Sequence, residues 1–221
     1  MAAIPLNTLI RPAVDHIATT YGASGGAPAM AMMAAIGLQE SGFEARDQLE
    51  VQNGRLVPGA IGPATGFWQF ERGGGVAGVM RHPASRSAAQ DLAAAGGVPF
   101  DADAIWRHFA TIEGDELAAA FARLLLLTDP RPLPAPEAVN EEEAWQYYLR
   151  NWRPGKPHRQ TWGGYWAAAC AAVAGQPAVP AVPRPTAPVA PAVVPGGADP
   201  ALAARVAALE DIITKLRAAL R

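Results

Sequence analysis

A single cysteine, Cys170, excludes an intramolecular disulfide, and its alanine-rich surroundings make it a buried small apolar residue, not a nucleophile. Bulk positive charge is absent as well. Lys and Arg number 18 against 20 Asp and Glu, so neither nucleic acid nor an anionic membrane is expected as a partner. The N-terminal Met1-Ala-Ala-Ile-Pro-Leu-Asn-Thr-Leu-Ile-Arg11 lacks a basic region followed by a long apolar core and reads as no secretory signal. Glycines and prolines interrupt the charge-free span between Arg159 and Arg184, which argues against a membrane helix. His16, His82, His108 and His158 show no paired spacing for a metal, and no cofactor is called for. The run Gly73-Gly74-Gly75 has neither a following Lys-Ser or Lys-Thr nor a clear preceding strand, so it reads as a turn rather than a phosphate loop.

What the chain does have is an apolar helix with one acid at its end. Ala29-Met-Ala-Met-Met-Ala-Ala-Ile-Gly-Leu-Gln-Glu40 follows Pro28, which suits a first helical turn, and precedes Ser41-Gly42, which suits a stop. At 3.6 residues per turn Glu40 falls on the stripe of Met33 and Ile36. A carboxyl in apolar surroundings is desolvated, its pKa rises, and it becomes suited to general acid work near neutral pH. Periodicity alone leaves open that the helix ends early and that Glu40 is solvated.

Downstream come Gly42-Phe43-Glu44-Ala45-Arg46 and then Gly62-Pro63-Ala64-Thr65-Gly66-Phe67-Trp68-Gln69-Phe70-Glu71. This ordered pair resembles the soluble lytic transglycosylase and goose-type branch of the lysozyme-like superfamily. There a catalytic Glu-Ser followed by Phe precedes a Gly-Ala-x-Gly-Leu-Met-Gln segment; the present segment has one residue more between its glycines. The resemblance is strongest over residues 28 to 82. It implies Glu40 as the catalytic acid, Ser41 as the serine after it and Gln69 as the substrate-contacting glutamine; Ser41, Trp68, Gln69 and Glu71 are the candidate substrate-binding residues of this stretch. In that family the glutamate protonates the glycosidic oxygen between N-acetylmuramic acid and N-acetylglucosamine and then acts as base. Attack by the sugar's own 6-hydroxyl leaves a 1,6-anhydro end, whereas hydrolases use a second carboxylate.

Residues 47 to 61 are longer than the family's link. Leu49-Glu-Val51 and Arg55-Leu-Val57 flank Asn53-Gly54, which predicts a β-hairpin because both central residues of a type I′ turn need positive φ. Asp47, Glu50 and Glu71 are the candidates for a second carboxylate, and the sequence does not choose among them.

The remainder is predicted to be helical: a helix over 8 to 20 closed by Tyr21-Gly22, then helices capped by Ser85, Asp101, Asp115 and Asn140, the last with Glu143 in a capping box. Between Tyr147 and Trp162 aromatic residues alternate with Arg150, Arg153, Lys156 and Arg159. Aromatic faces stack on sugars, and these cations suit the carboxylates of a stem peptide or lactyl group. The tryptophans read as core anchors. Tyr147 or Tyr148 matches the late tyrosine that lines the cleft in the lytic transglycosylases.

At Gln176 composition changes. Eight of the 21 prolines fall in residues 176 to 200, predicting an extended spacer over 176 to 198. Residues 199 to 221 then place Val206, Ile213 and Leu220 at a and Leu202, Leu209 and Leu216 at d of a three-heptad coiled coil, with Arg205 at g facing Glu210 at e of a second chain.

The expected molecule is therefore α+β and mainly α: a lysozyme-like domain with a small hairpin over 1 to 175, a linker, and an assembly helix. The expected function is peptidoglycan cleavage by a lytic transglycosylase or muramidase of bacteriophage type. Such an enzyme is made in the host cytoplasm and acts on glycan strands of the cell wall, with residues 202 to 220 joining it to a second copy or to a virion protein. A non-catalytic wall-binding or structural virion protein on the same scaffold is the alternative.

Overall fold

The computed structural model describes residues 3–23, 26–52 and 55–175. The Asn53-Gly54 turn, the proline-rich spacer and the heptad helix lie outside the described residues.

A π-helical turn, Leu6–Ile10, runs into α1 (Arg11–Tyr21), which Gly22 ends at φ 69°. α2 (Gly26–Glu40) follows, then the strands β1 (Asp47–Gln52), β2 (Arg55–Thr65) and β3 (Phe70–Glu71). A second π-helical turn, Arg72–Val76, contains the three glycines and leads into α3 (Ala77–Arg81). Then come α4 (Arg86–Ala95), α5 (Ala102–His108), α6 (Asp115–Leu126), a 3-10 turn (Ala138–Asn140), α7 (Glu141–Trp152) and α8 (Arg159–Ala174). The described chain is thus mainly α with one small antiparallel sheet, as its sequence predicts.

The organising element is α2. Every residue from Ala29 to Leu38 is buried, so the helix is covered all round and not only along one stripe. Its alanines and Gly37 let neighbours approach closely. α8 packs along it through a face containing Trp162, Trp166, Ala169 and Val173, while α1, α6 and α7 close other sides. Phe43 turns back beneath α2 at φ 58°, its ring filling the place a side chain at Gly37 would take. Edge-on contacts to Phe67 at 5.6 Å and Trp68 at 5.8 Å hold that ring.

The sheet runs β1-β2-β3, with Gln52 opposite Arg55, two register irregularities along β1, and Thr65 opposite Phe70. The strand pairing is that of the predicted hairpin. Gly66 continues from β2 at φ 73°, and a Cβ there would lie 3.3 Å from Phe109 Cβ. Its N–H donates to the Arg46 carbonyl at 2.6 Å, while the Thr65 hydroxyl donates to the Trp106 carbonyl at 2.7 Å. These bonds fix the segment following the strand against the helices.

Three of the four predicted helix caps differ. Asp101 caps α5 by accepting from the N–H groups of Asp103 and Ala104. Ser85 instead donates to the Val79 carbonyl at 2.7 Å, and Asn140 donates to the Ala135 carbonyl at 3.1 Å. Asp115 is the first residue of α6, and both its oxygens take the Arg46 guanidinium at 2.7 Å. Arg46 occupies the Asp115 oxygens that would have met a backbone N–H, while the side chains of Ser85 and Asn140 make no capping bond to the first turns of α4 and α7. Cys170 is only partly buried on α8, and burial pushes its thiol pKa up, which favours the inert protonated form.

Candidate active site

Glu40 is the last residue of α2, where the helix leaves the core. Its position beside the negative end of the helix dipole opposes ionisation. Burial opposes it more strongly: desolvation, with a smaller contribution from the negative charge of Glu71, raises the Glu40 pKa from an ordinary 4.5 to about 7. The Tyr148 hydroxyl donates to Glu40 Oε1 at 2.7 Å, and this bond acts in the opposite direction by favouring the carboxylate.

Tyr148 is held by the helices behind it. Its ring stacks on Trp162 at 5.0 Å and 15° and leans on Trp145 at 5.3 Å. Burial, followed by the Glu40 charge, raises its own pKa, so it stays a protonated donor.

Glu40 and Tyr148 open onto a cavity of about 690 Å³. That volume lies within the usual range for a ligand site. Gln69, Glu71, Trp152 and the triple-glycine turn contribute to its wall. The turn expected of Gly73-Gly74-Gly75 is therefore present, and it lies beside the cavity. Gln69 takes φ 50°, a left-handed conformation rare outside glycine, and its Nε2 donates to the Gly66 carbonyl at 2.9 Å. Its Oε1 accepts no hydrogen bond among the described residues and is left for a ligand. Glu71 is exposed in the same wall, and of the carboxylates proposed to assist Glu40 it is the one the cavity contains. Asp47 is exposed outside that wall, and the Glu50 side chain lies outside those described.

Three residues assigned to the substrate belong to the frame instead. Trp68 is fully buried, with its indole N–H donating to the Met33 carbonyl at 2.8 Å and its own carbonyl accepting from Trp152 Nε1 at 2.9 Å. Ser41 Oγ donates to the Phe67 carbonyl at 2.7 Å and accepts from the Phe43 N–H at 3.1 Å, tying the end of α2 to the Gln69 turn. Tyr147 is buried against α6, its hydroxyl donating to the Leu126 carbonyl at 2.8 Å and its pKa pushed up to about 12 by burial. Successive helical residues point about 100° apart, so Tyr147 and Tyr148 face different surroundings.

Among the cations anticipated near the cleft, Arg150, Arg153 and Lys156 line it, whereas Arg159 is engaged by Glu141 and Glu142 at 2.6 and 2.9 Å. Sequence reading missed Gln39, Arg81, His82 and Thr128, which also line the cavity. Only the fold brings those positions together, and no local pattern marks them. Of the tryptophans read as core anchors, Trp145, Trp162 and Trp166 are buried, while half-buried Trp152 also reaches the cavity. No group of three His, Cys, Asp or Glu able to hold a metal ion occurs among the described residues, nor is any of their helices long and apolar enough to cross a membrane. Comparison of the chain with family models, curated proteins and solved structures finds no match.

Proposed function

We propose that this is a peptidoglycan-cleaving glycosidase with a lysozyme-like catalytic domain, and that it breaks the β-1,4 bond between N-acetylmuramic acid and N-acetylglucosamine. The observation that carries the reading is Glu40: a carboxyl desolvated enough to hold its proton up to about pH 7, facing an open cavity of ligand size. The motif resemblance supports it, since its acid and its glutamine, Glu40 and Gln69, are far apart in sequence yet line one wall.

Glu40 donates its proton to the glycosidic oxygen as the C1–O bond breaks. The resulting carboxylate then takes a proton from the attacking hydroxyl, which restores the acid. Tyr148 orients the carboxyl throughout and stabilises its ionised form. The attacking group decides the product. Water positioned by Glu71, giving its proton to Glu40, leaves a reducing end, and the sugar's own 6-hydroxyl leaves a 1,6-anhydro end. Acting on the wall in this way suits a bacteriophage lytic enzyme, freed at lysis or carried on a virion.

Mass spectrometry of purified walls digested by the full chain, by Glu40→Gln and by Glu71→Gln tests the whole scheme. The expected result is muropeptide release by the native chain and none by Glu40→Gln. A change from reducing to anhydro ends in Glu71→Gln would assign Glu71 to the water. Equal release by the native chain and Glu40→Gln overturns the assignment of Glu40, and no release by either leaves the fold as a binding scaffold without turnover.

A further inference from the structure

The chain carries a net charge of −2, yet the cavity around Glu40 is lined by more cations than acids. Its acids are Glu40, which holds its proton to about pH 7, and Glu71. Facing them in the same lining are Arg81, Arg150, Arg153 and Lys156. Arg150 is partly neutralised by Asp129 at 3.4 Å. Arg81, Arg153 and Lys156 pair with no carboxylate among the described residues, whereas Arg72, Arg107 and Arg159 elsewhere on the chain each pair with an acid.

The backbone singles out Arg153. It ends α7 at φ 49°, the left-handed position that helices usually give to glycine because a Cβ is strained there. Glycine is two residues away at Gly155, but the strained position carries the charged side chain. Its Nε donates to the Arg150 carbonyl at 3.3 Å, which aims the guanidinium while leaving its other N–H groups without a protein partner among the described residues. A strained, charged, unpaired residue in a cavity wall fits a ligand contact better than a structural role.

We infer that Arg81, Arg153 and Lys156 form an anion-binding wall that recognises carboxylates carried by the muramic acid residue, selecting muramyl glycans over uncharged ones. The inference rests on the glycosidase reading, which puts a sugar strand in this cavity. Carboxylates reach such a strand from two sources, the lactyl group itself and the stem peptide joined to it. An exposed cation-carboxylate contact contributes up to about 1 kcal/mol, so three together amount to roughly tenfold or more in affinity at low salt. Salt should erase most of that difference.

The test measures binding of soluble tetrasaccharides to the full-chain Glu40→Gln variant, which holds substrate without cutting it. Three ligands are compared at low and high salt: the peptide-bearing muramyl tetrasaccharide, the same glycan freed of its peptides, and chitotetraose. The expected order places the peptide-bearing glycan roughly tenfold or more above chitotetraose at low salt, with the gap closing at high salt. A peptide-free glycan as tight as the peptide-bearing one assigns the contact to the lactyl group; one as weak as chitotetraose assigns it to the peptide. Adding Arg153→Glu and Lys156→Glu should collapse the gap, with circular dichroism checking that these exposed changes leave the fold intact. Equal affinity for the charged glycans and chitotetraose, or a gap that survives charge reversal, overturns the inference. Wall cleavage by the native chain is scored separately, so the glycosidase can stand while the anion wall falls, and charge-dependent binding can stand without turnover.

Discussion

The hydroxyl of Tyr148 on α7 reaches across 108 positions of sequence to the carboxyl of Glu40 at the end of α2, at 2.7 Å. The two groups control each other's protonation. Tyr148 favours the Glu40 carboxylate, against a desolvation that favours the acid, and burial together with the Glu40 charge keeps Tyr148 from ionising.

Removing that hydroxyl should therefore move the alkaline limb of activity upward. A hydrogen bond to a charged group contributes about 1.5–3 kcal/mol, so Tyr148→Phe should raise the Glu40 pKa by roughly one unit or more. The general acid then stays protonated to higher pH, while the maximal rate falls because its orientation is lost. Rates on purified walls between pH 5 and about 9 measure the limb; one that stays put or moves down refutes the coupling.

Glu40 also ties stability to pH. Its folded pKa of about 7 lies above the ordinary 4.5, so folding favours the protonated form. The stability it contributes is fully present below pH 4.5 and is lost as pH rises through about 7. The loss amounts to about 3 kcal/mol once the group is ionised. Glu40→Gln stays neutral at every pH. Its melting temperature should exceed that of the native chain at about pH 8, by roughly 5–10 °C, and match it near pH 4.5. Calorimetry at the two pH values decides, and a variant less stable than the native chain at about pH 8 would place the Glu40 carboxylate in a favourable ionised network.

Gln69 separates side-chain chemistry from backbone shape. Its φ of 50° is strained for glutamine and for alanine but not for glycine. Gln69→Gly therefore relieves about 1 kcal/mol of strain while removing the amide, whereas Gln69→Ala removes the amide and keeps the strain. Both should lose wall-cleaving activity by about tenfold or more if the free Oε1 holds substrate, with Gln69→Gly the more stable of the two. Activity restored in Gln69→Gly alone would mean that only the turn matters.

How much of this was legible in the sequence follows from the range of each interaction. α2 and the hairpin strands rest on period, glycine and turn chemistry within a few residues, and those local signals hold. The cap at Asp115 fails because Arg46, 69 positions away, takes its carboxylate, and the Ser85 hydroxyl is oriented by a bond to the Val79 carbonyl that lies outside its helix. Tyr147 and Tyr148 are adjacent and chemically alike, so only the packing of α7 against Trp162 on one side and α6 on another tells them apart. Arg81 could not be read as a cavity residue because only the fold brings α3 to the cleft, whereas Trp152 stands within the aromatic and basic segment that reads as substrate-facing, is itself read as a core anchor, and from the core also reaches the cavity.

Gly37 gives the sharpest test of the frame beneath Glu40. In a helix interior Gly→Ala ordinarily stabilises by about 1 kcal/mol, because alanine loses less backbone freedom. Here the added Cβ would overlap the Phe43 ring, which cannot retreat because Phe67 and Trp68 hold its edges. The sign should reverse, with Gly37→Ala destabilising by about 1–3 kcal/mol through overpacking. Phe43→Ala should cost about 3 kcal/mol or more alone by leaving a cavity. Together the two changes relieve each other, since the new methyl occupies space the ring has vacated. A double-mutant cycle by denaturant unfolding should show a coupling of at least about 1 kcal/mol that favours the pair. Additive losses would mean that Phe43 does not fill the notch at Gly37, and that the geometry bringing Ser41 and the Gln69 turn up to Glu40 has another origin.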